Sequence, residues 1–134
     1  MSAEKSKIAI TTTAAPSAIG PYSQAIAVGD ILYCSGQVPL DPATMQVVGT
    51  TSAEQTEQVM KNLGGLLEAG GSSYGDLLKC TIFLKNIGDF AAVNEVYGRY
   101  LPSPPPARST VEVARLPKDV LVEIEAIALI TKRR

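Results

Sequence analysis

Near the C-terminus, two stretches alternate apolar and polar side chains in a way that brings together groups able to do chemistry. In residues 107–114, Arg108, Thr110 and Glu112 fall on one strand face, with Ser109, Val111 and Val113 on the other. In residues 121–130, Glu123 and Glu125 share a face, and Val122, Ile124, Ala126 and Ala128 fill the opposite one. A guanidinium offers a planar fork that grips a carboxylate through two parallel charge-assisted hydrogen bonds. A hydroxyl can hold a water, and a carboxylate can take and return a proton. Glu123 lies within VLVEIEAIALI, an otherwise very apolar run. Desolvation there would raise its pKa and let it shuttle protons near neutrality.

Whether these groups meet depends on register. The connection Leu116-Pro117-Lys118-Asp119 is short enough for an antiparallel hairpin. A turn centred between Leu116 and Pro117 would set Thr110 opposite Glu123 and Arg108 opposite Glu125, all on one face. The plainer alternative is a solvated outer face, since cross-strand Arg–Glu pairs are common. Arg115, Lys118 and Asp119 read as hairpin-end charges without a function.

Composition narrows the chemistry further. The chain has no His, which removes the commonest general base and the commonest metal ligand together. Ser–His and Cys–His nucleophilic machinery and histidine-based RNA cleavage cannot be built here. Acid–base work falls to carboxylates, Tyr, Lys or ordered water. Twelve basic residues against thirteen acidic give a net charge of −1, with no global attraction to phosphates. Lys132, Arg133 and Arg134 read as a solvated tail. Cys34 and Cys80 lie in apolar runs and read as buried free thiols, a disulfide being the unsupported alternative. Neither belongs to a CxxC pair. No stretch is long and apolar enough to span a bilayer. Met1–Ser6, with Glu4 and Lys5, makes a poor secretory or mitochondrial leader, so a cytoplasmic location is expected.

The elements that must position these groups follow from periodicity. With 134 residues, the chain is expected to form one domain, 1–134, around one core. Lys7–Thr12 suits a short strand. Ala25–Val28 and Ile31–Ser35 are two more, joined by Gly29-Asp30, a type II′ hairpin signal. A first helix is expected from Ser52, with Gln55 completing a capping box. Val59, Met60, Leu63 and Leu67 form its apolar face, something packs closely on Gly64-Gly65, and Gly70-Gly71 ends it. Leu77–Leu84 reads as a central strand. A second helix runs from about Asp89 to Leu101, with Phe90, Val93, Tyr97 and Tyr100 on one face, and Pro102 ends it. The order β-β-β-α-β-α-β-β fits an α+β domain, one mixed sheet carrying both helices on one face.

The hairpin residues also carry a resemblance. Pro106-Ala107-Arg108-Ser109-Thr110-Val111, continuing through Ala114, Leu116 and Val122-Glu123-Ile124, resembles the signature of the RidA (YjgF) reactive-intermediate deaminase family. Three further blocks agree in order and spacing: Ile19-Gly20-Pro21-Tyr22-Ser23-Gln24, Ser35-Gly36-Gln37, and Phe90-Ala91-Ala92-Val93-Asn94. The resemblance implies a chorismate-mutase-like fold assembled as a homotrimer with clefts between subunits. By position, Arg108 would bind the substrate carboxylate and Glu123 would orient or deprotonate the attacking water. Tyr22 would wall the cleft, Ser35 and Gly36 would offer a hydroxyl and backbone groups, and Asn94 would belong to the cleft or its support. The chain departs from many bacterial members at Thr110, where they carry Cys. A threonine hydroxyl still holds a water, whereas a mechanism demanding a thiol there loses its support.

The reaction the resemblance implies, and these residues can serve, is hydrolysis of 2-aminoacrylate-like enamines or their 2-imino acid tautomers, such as 2-iminobutanoate and 2-iminopropanoate, to 2-ketoacids and ammonia. It calls for no metal, nucleotide or other cofactor. Two rivals stand beside it. One is an endoribonuclease or translation inhibitor, against which the charge balance, the missing His and the sparse aromatics argue. The other is a noncatalytic module binding small carboxylates or proteins, in which the Arg108 cleft persists and Glu123 is structural.

Overall fold

The computed structural model describes residues 6–132. Of the Met1–Ser6 stretch read as a poor leader, all but Ser6 lies outside the described residues, as do Arg133 and Arg134 of the basic tail. The elements in chain order are β1 (Ile8–Ile10), β2 (Ala25–Val28), β3 (Ile31–Gln37), α1 (Ser52–Ala69), β4 (Leu77–Leu84), α2 (Phe90–Arg99), β5 (Ala107–Glu112) and β6 (Val122–Leu129). They build one six-stranded mixed sheet in the order β1-β2-β3-β6-β4-β5. Every neighbouring pair is antiparallel except β4 and β5, which run parallel because α2 carries the chain across between them. The α+β architecture, with both helices on one face, agrees with the expectation from periodicity.

The expected β5–β6 hairpin does not form. Strand β4 lies between the two, pairing with β5 on one side and β6 on the other. The segment between Glu112 and Val122, containing a single 3-10 turn at Pro117–Asp119, steps over β4 rather than folding back tightly. Burial supplies the reason. Leu77–Leu84 presents Cys80, Ile82 and Leu84, each fully buried, and such a run needs hydrogen-bonded neighbours on both edges. Strand β5, exposed along most of its length, takes the sheet edge instead.

This insertion changes which side chains share a face. Arg108 pairs with Cys80, which pairs with Ala126; Thr110 pairs with Ile82, which pairs with Ile124. Arg108 and Thr110 thus point to the helix side. Glu123 pairs with Phe83 and Glu125 with Thr81, on the opposite side. The expected pairs Thr110–Glu123 and Arg108–Glu125 are each displaced by one residue. In a strand, one residue is a change of face.

Helix α1 forms the lid of the core. Val59, Met60, Leu63, Leu66 and Leu67 are fully buried against Leu32, Ile82, Val122 and Ile124. Each such side chain contributes about 1.5–3 kcal/mol relative to exposure. The capping box is real but one residue earlier than expected. Thr51 is the N-cap: its hydroxyl accepts from the Glu54 amide at 3.1 Å, and the Thr51 amide donates to Glu54 Oε1 at 3.2 Å. Gln55 is buried and otherwise engaged. Its Oε1 accepts from the Leu121 amide at 2.7 Å, tying the helix start to the entry of β6. Gly64 and Gly65 admit close neighbours, since a Cβ on Gly64 would strike the Tyr74 hydroxyl and one on Gly65 would lie 2.5 Å from the Ala14 carbonyl oxygen. Beyond the helix, Gly71 takes φ +83°; its amide reaches Glu68 O and the Ser72 amide reaches Leu67 O, a Schellman closure. In α2 the buried residues are Val93, Val96 and Tyr97, while Phe90 stays 38% exposed and Tyr100 half-buried, so the expected apolar face is rotated toward Val96.

The cysteines are both free and buried. They flank Ala126 from β3 and β4, two strand spacings apart, or roughly 9–10 Å, which exceeds disulfide reach.

Candidate functional site

The residues singled out in the sequence fall into two groups on opposite faces of the sheet. Arg108, Thr110 and Asn94 lie on the helix side at the β5 edge. Tyr22, Ser35, Gly36 and Glu123 line a cleft of about 510 Å³ elsewhere. No single chain brings Arg108 to Glu123.

The first group is organised by α2. Phe90, Asn94 and Tyr97 follow at helical spacing i, i+4, i+7 and so face the same way, toward β5. Arg108 Nη1 donates to Asn94 Oδ1 at 2.6 Å. The guanidinium carbon sits 5.4 Å from the ring centroids of both Phe90 and Tyr97. Among the described residues Arg108 has no carboxylate partner, whereas Arg99 pairs with Glu57 and Glu95, and Arg115 with Asp119. A neutral acceptor orients the cation without cancelling its charge. Two hydroxyl oxygens beside it, Thr110 Oγ1 and Tyr97 OH, are buried without a hydrogen-bond partner. Tyr97 lies against the buried Cys80 thiol, and burial pushes both groups up, the nearby Arg108 charge opposing it.

The second group is built on an irregularity of β3. Pairing with β6 shifts between Cys34 and Gln37, which leaves Ser35 and Gly36 in a bulge. Ser35 is tethered from both ends: its amide donates to Gln24 O at 3.0 Å and its hydroxyl to Ser23 O at 2.7 Å. The Glu123 carboxylate lies across Gly36, where a Cβ would collide with Oε2 and come within 2.8 Å of Cδ. Glu123 is half-buried, and burial first, then the neighbouring Glu125 charge, raises its pKa above the ordinary carboxylate range. Buried Gln24 laces the Thr12–Pro16 loop into place: its amide reaches the carbonyls of Thr12, Ala15 and Pro16, and its Oε1 accepts from the Thr12 amide at 2.8 Å. Tyr22, 54% exposed, and Ile19, 70% exposed, stand at the mouth.

Lining residues given no site role from the sequence include Lys118, read as a hairpin-end charge, Gln37 and Met45. Lys118 borders the cleft, and its backbone takes φ +56°, as does Asp119. A left-handed pair of non-glycine residues marks a loop held in place by its surroundings. Gln37 and Met45 also line it, Met45 at φ +60°. The i, i+4, i+7 spacing of Phe90, Asn94 and Tyr97 was the available signal for the aromatic company of Arg108. Among the described residues, no three His, Cys, Asp or Glu side chains converge as a metal ion would require.

Comparison with known proteins identifies the class. Residues 12–130 match the family profile described as Endoribonuclease L-PSP, and the chain belongs to that family, the YjgF/RidA family. A RutC family protein of Pyrococcus horikoshii is 52% identical over 122 residues, covering 91% of this chain and 97% of that protein. The chloroplastic Reactive Intermediate Deaminase A of Arabidopsis thaliana is 47% identical over 122 residues, covering 91% of this chain and 65% of that protein. Among solved structures, that of TdcF from E. coli with bound serine superposes with a TM-score of 0.86 at 40% identity, covering 92% of this chain and 99% of that one. No helix of the described residues is long and apolar enough to cross a membrane.

Proposed function

We propose that this protein is a hydrolase of short 2-imino acids and their enamine tautomers, and that its site forms between subunits of a homotrimer. The observation that carries this reading is the separation of two incomplete half-sites. A free, oriented guanidinium stands on one face, and a desolvated carboxylate lies in a cleft on the other. Each lacks what the other supplies. The sheet face opposite the helices adds support, because it leaves Tyr33 and Leu129 48% and 38% exposed, apolar area that another copy would cover. The deaminase name of the Arabidopsis relative and the bound serine in the E. coli structure, a small amino acid, agree with this reading.

In the proposed mechanism, Arg108 of one subunit grips the carboxylate of the imino acid. That grip fixes the imine carbon against a water held near Glu123, Ser35 and the Gly36 backbone of the neighbouring subunit. Tyr22 walls the cleft, Asn94 holds Arg108, and Thr110 supports a water. Glu123, more basic than a solvated carboxylate, takes a proton as water adds to the C=N carbon. It gives that proton to nitrogen to complete the carbinolamine. It then takes the hydroxyl proton and passes it to nitrogen as the C–N bond breaks, so that ammonia leaves and the C=O of the ketoacid forms. Fixing both reactants supplies the larger share of the acceleration.

Mixed trimers test the arrangement. Arg108→Ala and Glu123→Gln are each expected to be inactive in iminopyruvate hydrolysis. Refolded together in equal amounts, about a quarter of the clefts pair an intact Arg108 with an intact Glu123, and that share of activity is expected to return. A mixture as inactive as its components refutes the shared site. An uncatalysed rate from the wild-type protein refutes the deaminase reading itself. The family's endoribonuclease name supplies the second reading, for which Arg108-dependent cleavage of single-stranded RNA by homogeneous protein is the corresponding measurement.

A further inference from the structure

An arginine that must grip an anion while remaining unpaired in the resting protein faces a physical difficulty. Its four-carbon side chain carries about 2 kcal/mol of rotamer entropy, and each hydrogen bond it later makes must first order that chain. Arg108 is exposed, sits on an edge strand and has no carboxylate partner among the described residues. Its guanidinium is nevertheless flanked by two aromatic rings, Phe90 and Tyr97, each with its centroid 5.4 Å away. A guanidinium stacks on aromatic faces without losing the N–H donors along its edge. Of its five donors, one is spent on Asn94 Oδ1 at 2.6 Å.

The two rings differ in what they can be doing. Tyr97 is 5% exposed and belongs to the core. Phe90, at the first turn of α2, is 38% exposed and lies outside the buried cluster. Phe90 is thus largely covered without joining the core, and the Arg108 guanidinium over its ring supplies part of that cover. Its contact with Arg108 places the guanidinium carbon over the ring, 5.4 Å from the centroid, within cation–π range.

We infer that Phe90 and Tyr97 form an aromatic clamp that presets the plane of the Arg108 guanidinium, leaving its free donor edge turned to an incoming carboxylate. Both are positioning residues, Phe90 the adjustable member and Tyr97 the fixed one. The inference rests on the reading of Arg108 as the carboxylate grip. It adds that affinity for the carboxylate, rather than the chemical step, is what the clamp sets.

The test is Phe90→Leu in the full-length protein, with 2-oxobutanoate as the probe. Binding is expected to weaken roughly threefold to tenfold, with KM for the imine rising in parallel and kcat nearly held. Phe90→Trp, which restores an aromatic face, is expected to recover wild-type affinity. The order parameter of the Arg108 Nε–H, read by NMR without ligand, is expected to fall in Phe90→Leu and recover in Phe90→Trp. Equal 2-oxobutanoate binding by wild type and Phe90→Leu overturns the clamp, as does a Trp variant no better than Leu. So does a loss confined to kcat, or a wild type that binds no 2-oxobutanoate. Thermal unfolding of each variant separates a folding defect from these outcomes, and if Phe90→Leu does not fold, Phe90→Met, which keeps apolar bulk without a ring, takes its place in every comparison. The deaminase reading fails separately, if wild-type protein binds the ketoacid but does not accelerate imine hydrolysis.

Discussion

The Arg108 region and the Glu123 cleft solve opposite electrostatic problems. Arg108 stays charged and solvated at an exposed edge, oriented by a neutral amide and two rings. Glu123 is withdrawn from water beside Glu125, so its charge is disfavoured. The first group keeps its charge ready for an anion, while the second is primed to accept a proton. A carboxylate paired with Arg108 inside one chain would cancel both properties. Placing them on opposite faces of the sheet preserves each, and in the proposed trimer a second copy and a substrate would bring them together.

The sharpest way to break this contrast is to remove either charge. Arg108→Ala is expected to lower kcat/KM for iminopyruvate on the order of 10²–10³-fold with the fold intact by circular dichroism, because a charge-assisted two-bond grip is lost. Glu123→Gln is expected to cost on the order of 10²–10⁴-fold in kcat, measured in the same coupled assay. The same variant should raise thermal stability at neutral pH. Its pKa is raised on folding, so the ionised carboxylate destabilises the native state above that raised pKa. The gain should disappear as pH falls below the unfolded value, and a stability difference independent of pH contradicts the desolvation.

Gly36→Ala probes the cleft without touching a charge. Its Cβ would displace the Glu123 carboxylate, and an activity loss of about tenfold or more, with unfolding temperature nearly unchanged, is expected from a misplaced base. Glu125→Gln should shift the acid limb of the rate profile to lower pH, since Glu125 helps hold the Glu123 pKa up. An unmoved limb would detach the profile from Glu123. Thr110→Val is expected to give the smallest effect, below about tenfold in kcat and near zero in stability, because the hydroxyl has no partner to lose. A large loss would move Thr110 from support to the centre of the chemistry.

Much of this was legible in the chain. The buried runs of β4 and β6, the apolar stripe of α1 and the Gly29 turn, at φ +57°, follow from local spacing and glycine chemistry. So does the alternation that separates Arg108 and Thr110 from Ser109 and Val111. The capping box was placed one residue late because Ser52 and Gln55 satisfy the pattern as well as Thr51 and Glu54 do. The structure engages Gln55 elsewhere, with the Leu121 amide and the Gly49 carbonyl, and leaves the box to Thr51 and Glu54.

Strand order was beyond local reading. Alternation determines which residues of one strand agree with each other, but not which face they take relative to another strand. Nothing near Leu116–Asp119 announces that β4, three dozen residues earlier, will slide between β5 and β6. The sequence by itself determined the chemical inventory: an arginine and a hydroxyl on one strand face, two carboxylates in an apolar strand, and no histidine. The tertiary structure decided that Arg108 and Glu123 face away from each other, because β4, with Cys80, Ile82 and Leu84 fully buried, is hydrogen-bonded to β5 on one edge and β6 on the other.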